Sequence, residues 1–214
     1  MLFRSFEEEA IREALPQKYR PDFVISVHTG LRWSEQVNLR WNDVDLLSGF
    51  ITVPRSKHGD VRRVPINAAA RAAFLDLATQ RGLPNDPVEL VFSDRPKQAD
   101  KFFPKAVARA REVLREAGKD ANRLDGYTWH SNRHTFGSRL AMAGVQDRTI
   151  QELGGWKTLK MVQRYSHLSA AYLHEAVARL VESTDTPVPG HGGDRAVELR
   201  RNFDDGATQR LGVS

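Results

Sequence analysis

The stretch DVDLLSGFITVPRSKHGDVRRVPI, residues 43–66, is where the chain changes period. Two runs within it, GFITVP and VRRVPI, place Val or Ile at alternating positions, and Gly49 and Gly59 sit beside them. A period of two sends successive side chains to opposite faces of an extended strand. With the DVD that opens the stretch, this predicts about three short antiparallel strands.

On either side the spacing becomes helical. Ser5 with Glu8 reads as a capping box opening a helix over 6–14. DFVISVH (22–28) runs as an apolar helix into Thr29-Gly30, and a short helix starts at Ser34 and ends near Arg40. Beyond the strands, Asn67 caps AAARAAFLDLA, GLPNDP forms a loop, and LVF (90–92) is a short buried extended piece. Further helices are expected over 102–117, 131–143, 147–153, 159–166 and 170–182. The fold class is α+β, mainly α, with a small three-stranded antiparallel sheet.

The 214 residues suffice for one substantial core. The expected domain is 1–183. Residues 184–214 start in a Pro- and Gly-rich run with little to bury and read as a flexible tail. The chain has no cysteine, which excludes a disulfide framework and thiolate metal sites. No run of apolar residues is long enough to span a membrane, and MLFRSFEEE is not a signal peptide, so a cytoplasmic location is expected. A net charge of +5 favours a polyanionic partner, nucleic acid first.

Several residues could carry chemistry. Arg32 follows a glycine in TGLRWSE, and Lys57 lies at the tip between two predicted strands. His130 and Arg133 share a helical face in HSNRHTF, residues 130–136. Trp156 lies in LGGWKT, at the start of a helix that Thr158 would cap, and Tyr165 ends that helix. Each also has a plain reading, as a surface cation or a core aromatic. His130 and His134 have the i, i+4 spacing of two zinc ligands, but no Glu follows His130 and the cationic Arg133 lies between them. No metal is expected.

Taken in order, TGLR, a hairpin lysine, HxxRHT, LGGW and a tyrosine nine residues on resemble the tyrosine recombinase (phage integrase) family. The resemblance covers about residues 5–182. It implies a catalytic set of Arg32, Lys57, His130, Arg133, Trp156 and Tyr165, with Glu35 and His134 standing behind it. Two positions depart from the family pattern. Asn132 replaces an apolar residue within HxxR, and Gly154-Gly155-Trp156 stands where many relatives have LGH.

The chemistry that this resemblance implies is consistent with the residue types. Two arginines can clamp the oxygens of a phosphodiester as negative charge grows on them. A tyrosine phenol has a pKa of about 10 and needs a base, for which His130 is the candidate. Lys57 would protonate the departing 5′ oxygen. The product would be a 3′-phosphotyrosine on double-stranded DNA, formed with no cofactor. The family further implies a homotetramer on DNA with the C-terminal tail docked in trans, and an N-terminal DNA-clamp domain, which is expected to lie outside these 214 residues. Arg55, Arg62 and Arg63 are candidates for DNA phosphates. The alternatives are a DNA-binding regulatory module and a topoisomerase that relaxes strands by the same chemistry.

Overall fold

The computed structural model describes residues 5–54, 61–82 and 86–166. Lys57, Arg55, the helix expected over 170–182 and the tail at 184–214 lie outside them.

Helix α1 (Ser5–Ala14) leads through a single 3-10 turn into α2 (Arg20–Thr29). Phe23, Ile25 and Val27 of α2 are all buried. A helix apolar on several sides must be central. Accordingly α2 packs against α1, α4 (Ala68–Arg81) and α6 (Trp129–Met142). The expected capping box of α1 does not form. Glu8 turns inward, pairs with Arg139 of α6, and lies 3.8 Å from His28 Nε2 on α2. A half-buried ion pair with a distant helix outcompetes a local cap that water could replace.

The sheet follows the alternating stretch. β1 (Val44–Asp45), β2 (Phe50–Val53) and β3 (Arg62–Pro65) run in that order, all antiparallel. Val44 pairs with Ile51, and Ile51 with Val64. These three and Val53 form the buried face, packed with Phe74 and Leu77 of α4 and with Val91 and Phe92. Asn67 caps α4 as expected, its side-chain oxygen accepting from the Ala70 N–H at 2.9 Å. The LVF segment is anchored beside the sheet by a bridge from Leu90 to Arg40 and by Val91 N–H donating to Leu39 C=O at 2.8 Å. The Arg95 side chain ties the next loop to α2 with two bonds to the Asp22 carboxylate, at 2.5 and 3.1 Å. Asp22 is fully buried, and Arg95 keeps only 2% of its side chain exposed.

A second core lies between α1, α2, α5 (Phe103–Glu116) and the segment before α6. Trp129 is its hub, with edge-on contacts to Phe23, Trp33, Phe102 and Phe103. It fixes the first turn of α6. The third core joins α6 to α7 (Asp147–Gly154) and α8 (Leu159–Gln163), and Trp156 and Tyr165 belong to it. α8 is shorter than expected. Thr158 precedes it in extended backbone without a side-chain cap bond, and Tyr165 sits in the turn that follows, its N–H donating to Val162 C=O at 2.8 Å.

Candidate active site

Two helix ends and one strand build the site. α2 stops at Gly30, whose φ of 64° is the left-handed conformation that favours glycine. A side chain there would also meet the Phe136 ring, with Cβ 2.4 Å from Cδ1. The turn faces the Gly30 carbonyl toward α6 and places Arg32 at the start of α3 (Trp33–Val37). α7 ends in the same way at Gly155, with φ of 66°.

Each of these glycine carbonyls holds one arginine. Arg133 Nη1 donates to Gly30 C=O at 2.7 Å, and Arg32 Nη2 donates to Gly155 C=O at 3.1 Å. Carbonyls at helix C-termini carry partial negative charge, so they orient a guanidinium without neutralising it.

Arg133 is only 1% exposed, an unusual position for a cation. Its Cζ lies 4.3 Å from the centre of the Trp156 ring, a cation–π contact. Nη2 has no hydrogen-bond partner among the described residues. Burial, then the charge of Arg32, lowers its pKa to about 9, with Glu35 opposing, so it stays cationic at neutral pH.

Glu35 connects the strand to the site. Its Oε1 accepts from Arg32 Nη1 at 2.6 Å and from Arg62 Nη1 at 3.0 Å. Its Oε2 accepts from the Arg32 backbone N–H and from Arg62 Nη2, both at 2.8 Å. Burial alone would raise the carboxyl pKa. The hydrogen bonds and charge of Arg62, with those of Arg32, outweigh it and bring it to about 2. Arg62 also donates through Nε to Leu153 C=O at 3.2 Å.

The structure separates Arg62 from Arg63, both of them expected as candidates for DNA phosphates. Arg62 pairs with Val53 of the buried face and turns inward to Glu35, whereas Arg63 pairs with Thr52, is exposed, and lies over Phe50 at 4.3 Å. Neighbours on a strand face opposite ways, and that parity separates the two roles.

Tyr165 packs between α6 and Trp156. Its ring lies 5.9 Å from that of Trp156, centre to centre, and against Gly137, where a Cβ would come within 2.8 Å of Cε2. Its hydroxyl lies 2.6 Å from His134 Nδ1. His134, expected to stand behind the reacting groups, is thus the side chain that touches the phenol. His130 is exposed one helical turn away, with the two imidazoles 4.9 Å apart. Burial raises the pKa of Tyr165, with Arg164 and Arg133 opposing. Burial lowers that of His130, and Arg133 and Arg32 add to the effect. His134 is lowered to about 4, by burial first and then by His130 and Arg164.

Both departures from the family pattern have structural reasons. Asn132 is buried with its polar atoms satisfied: Oδ1 accepts from the Tyr127 hydroxyl at 2.6 Å, and Nδ2 donates to Ser26 Oγ at 3.2 Å. At Gly154 a Cβ would fall 1.9 Å from Trp156 Cζ3. The indole occupies the space that a leucine at 154 would need, so the glycine accompanies the tryptophan.

Arg32, Arg62, Arg63, Arg148, Lys157 and Trp156 line one open cleft of about 680 Å³, with Glu152 on its wall. Among the described residues no three His, Asp or Glu side chains gather in a metal-holding group, and no helix is long and apolar enough to cross a membrane. Sequence reasoning did not find Gly137 or the contact between His134 and Tyr165. A small residue on a buried helical face was the available signal for Gly137, and nothing in the linear spacing signals the second.

Residues 5–171 match the model of the phage integrase family. Tyrosine recombinase XerA of Pyrococcus furiosus is 33% identical over 182 residues, which are 82% of this chain and 61% of the relative. The integrase of Salmonella phage P22 is 30% identical over 192 residues, 87% of this chain and 48% of the relative. The chain thus spans between about half and two-thirds of the length of these curated relatives. Among solved structures, the catalytic domain of bacteriophage HP1 integrase superposes with a TM-score of 0.59 at 25% identity, covering 83% of this chain and 93% of that one. The Tn1549 transposon integrase in complex with circular intermediate DNA gives 0.64 at 23% identity, covering 84% and 67%. With residues 5–171 matched by that family's model, the chain belongs to the phage integrase family.

Proposed function

We propose that this protein is a site-specific DNA recombinase that cleaves and rejoins double-stranded DNA through a covalent 3′-phosphotyrosyl intermediate on Tyr165. One observation carries the reading: a buried, cationic Arg133, with Nη2 unpartnered among the described residues, stacked on the Trp156 ring that also packs against Tyr165. A buried cation without a carboxylate of its own is costly, and such cost is tolerated where a ligand offsets it. A phosphodiester matches in charge and geometry.

In this reading Arg32 and Arg133 hold the non-bridging oxygens and stabilise the charge that grows on them. His130, exposed above Arg133, faces the same phosphate, and Trp156 backs Arg133. Tyr165 attacks phosphorus. The 5′ oxygen leaves with the electron pair of its broken bond and takes a proton from Lys57, on the stretch between β2 and β3. The bond energy is kept in the phosphotyrosine, so a 5′-hydroxyl can rejoin the strand without a cofactor. Arg63, Arg148 and Lys157 in the cleft supply further contacts to the DNA backbone. The homotetramer on DNA, with residues 184–214 docked on a neighbour, belongs to the same proposal and rests on the family resemblance.

The test is capture of the adduct. The protein is mixed with duplexes carrying randomised cores, denatured in detergent, and the protein-linked DNA is recovered and sequenced. Nuclease digestion and mass spectrometry should then leave nucleotide on Tyr165, with no adduct from Tyr165→Phe. DNA linked to another residue, or none at all, rejects the proposal. Cleaved plasmid that is only relaxed, without exchanged ends, favours a strand-relaxing enzyme.

A further inference from the structure

We propose that His134, rather than His130, accepts the proton of Tyr165 as the phenol attacks phosphorus; this rests on the recombinase reading above. The hydroxyl lies 2.6 Å from His134 Nδ1, within the reach that proton transfer requires. His130 has no such contact among the described residues and is exposed.

The slot around the phenol is tight. Gly137 lies against one edge of the ring and Trp156 against its side. The phenol is therefore presented to His134 in one orientation. Among the described residues, the charged and titratable groups around His134 are His130, Arg133 and Arg164, beside Tyr165 itself. The three cationic or protonatable neighbours disfavour a charged imidazole, so it is neutral at neutral pH, and the proposal assigns its proton to Nε2 with the Nδ1 lone pair toward the phenol. An arriving phosphodiester brings negative charge, which raises the proton affinity of His134 when it is needed.

The step balances simply. The Tyr165 Oη–H proton passes to His134 Nδ1 while Oη bonds to phosphorus. The P–O5′ bond breaks, and its electron pair leaves on the 5′ oxygen, which is protonated from the opposite side. In the reverse step a 5′-hydroxyl attacks, and His134 returns its proton to the departing phenolate.

The experiment uses the duplex recovered by adduct capture, in two versions. One is ordinary. The other has sulfur in place of the 5′-bridging oxygen, and this leaving group needs no proton. Single-turnover adduct formation is followed against pH for the wild type, His134→Gln and His130→Gln. His134→Gln should be slower by about 10²–10⁴-fold on both duplexes, the range of general base catalysis, and sulfur should not restore it. On the sulfur duplex the wild-type rate should fall in acid as the acceptor is protonated, and that dependence should vanish in His134→Gln. A wild-type rate for His134→Gln on the sulfur duplex overturns the proposal. So does an acid dependence that survives in His134→Gln and vanishes in His130→Gln.

A second measurement needs no DNA and no altered histidine. In ¹⁵N NMR, His134 Nδ1 should report an unprotonated, hydrogen-bonded nitrogen that shifts in Tyr165→Phe, while His130 stays in place. A His134 signal indifferent to Tyr165→Phe refutes the contact. Absence of adduct from the wild type on any duplex rejects the recombinase reading itself, and this assignment with it.

Discussion

Glu35→Gln tests how the arginines are held. The Glu35 carboxylate accepts four hydrogen bonds from Arg32 and Arg62 and is almost fully buried. A pKa lowered from 4.5 to about 2 corresponds to about 3 kcal/mol of folding stability. Because the folded-state value is depressed, this contribution is complete at neutral pH and is lost as pH falls from about 4.5 through about 2. In the variant two guanidinium groups share a neutral amide, which adds repulsion. Urea unfolding followed by tryptophan fluorescence should show the wild type more stable by about 3 kcal/mol at pH 7. The gap should close as the pH is lowered toward 2. A gap at pH 7 below about 1 kcal/mol, the size of an exposed pair, would refute the reasoning. So would a gap that does not respond to acid.

Gly137→Ala places a methyl group 2.8 Å from Tyr165 Cε2 and 3.1 Å from Trp156 Cη2. It should cost about 1–3 kcal/mol in thermal or urea unfolding and lower adduct yield by more than that loss of folded protein explains. Arg133→Ala should slow adduct formation by about 10²–10³-fold, read in single-turnover assays, while the protein still binds duplex DNA in gel shifts through the cleft cations. Arg95→Leu leaves Asp22 buried without its partner and should destabilise the fold by about 3–5 kcal/mol at pH 7. Burial already raises the Asp22 pKa, with Arg95 opposing, so the penalty should shrink in acid as the lone carboxyl takes a proton. A pH-independent loss in urea unfolding would count against that account.

The sequence pattern marks the elements well where the pattern is local. Alternation at 44–53 and 62–65 is an intrinsic property of each strand, and the Asn67 cap is decided within three residues. It fails where distant partners decide. Glu8 leaves its capping role because Arg139 and His28 lie on helices that arrive later in the chain. The same holds in the site. The TGLR and HxxR motifs name the two arginines, but their anchors are carbonyls at two helix ends, and a carbonyl has no signature in residue type. The inward turn of Arg62 was readable from strand parity. The His134–Tyr165 contact was not, because it depends on the angle at which the turn after α8 returns to α6.

The grip of Arg62 on Glu35 has a mechanical consequence. Arg62 is the first residue of β3, and the stretch joining it to β2 carries Lys57. The same guanidinium also holds the Leu153 carbonyl at the end of α7. Strand, helix and arginine clamp are thus linked in series through one side chain. Load applied to the hairpin passes through Arg62 to Glu35, and from there to Arg32. Under the proposed function, with Lys57 as the acid and Arg32 on the phosphate, DNA pulling on the segment between β2 and β3 would load both through the single Arg62 side chain.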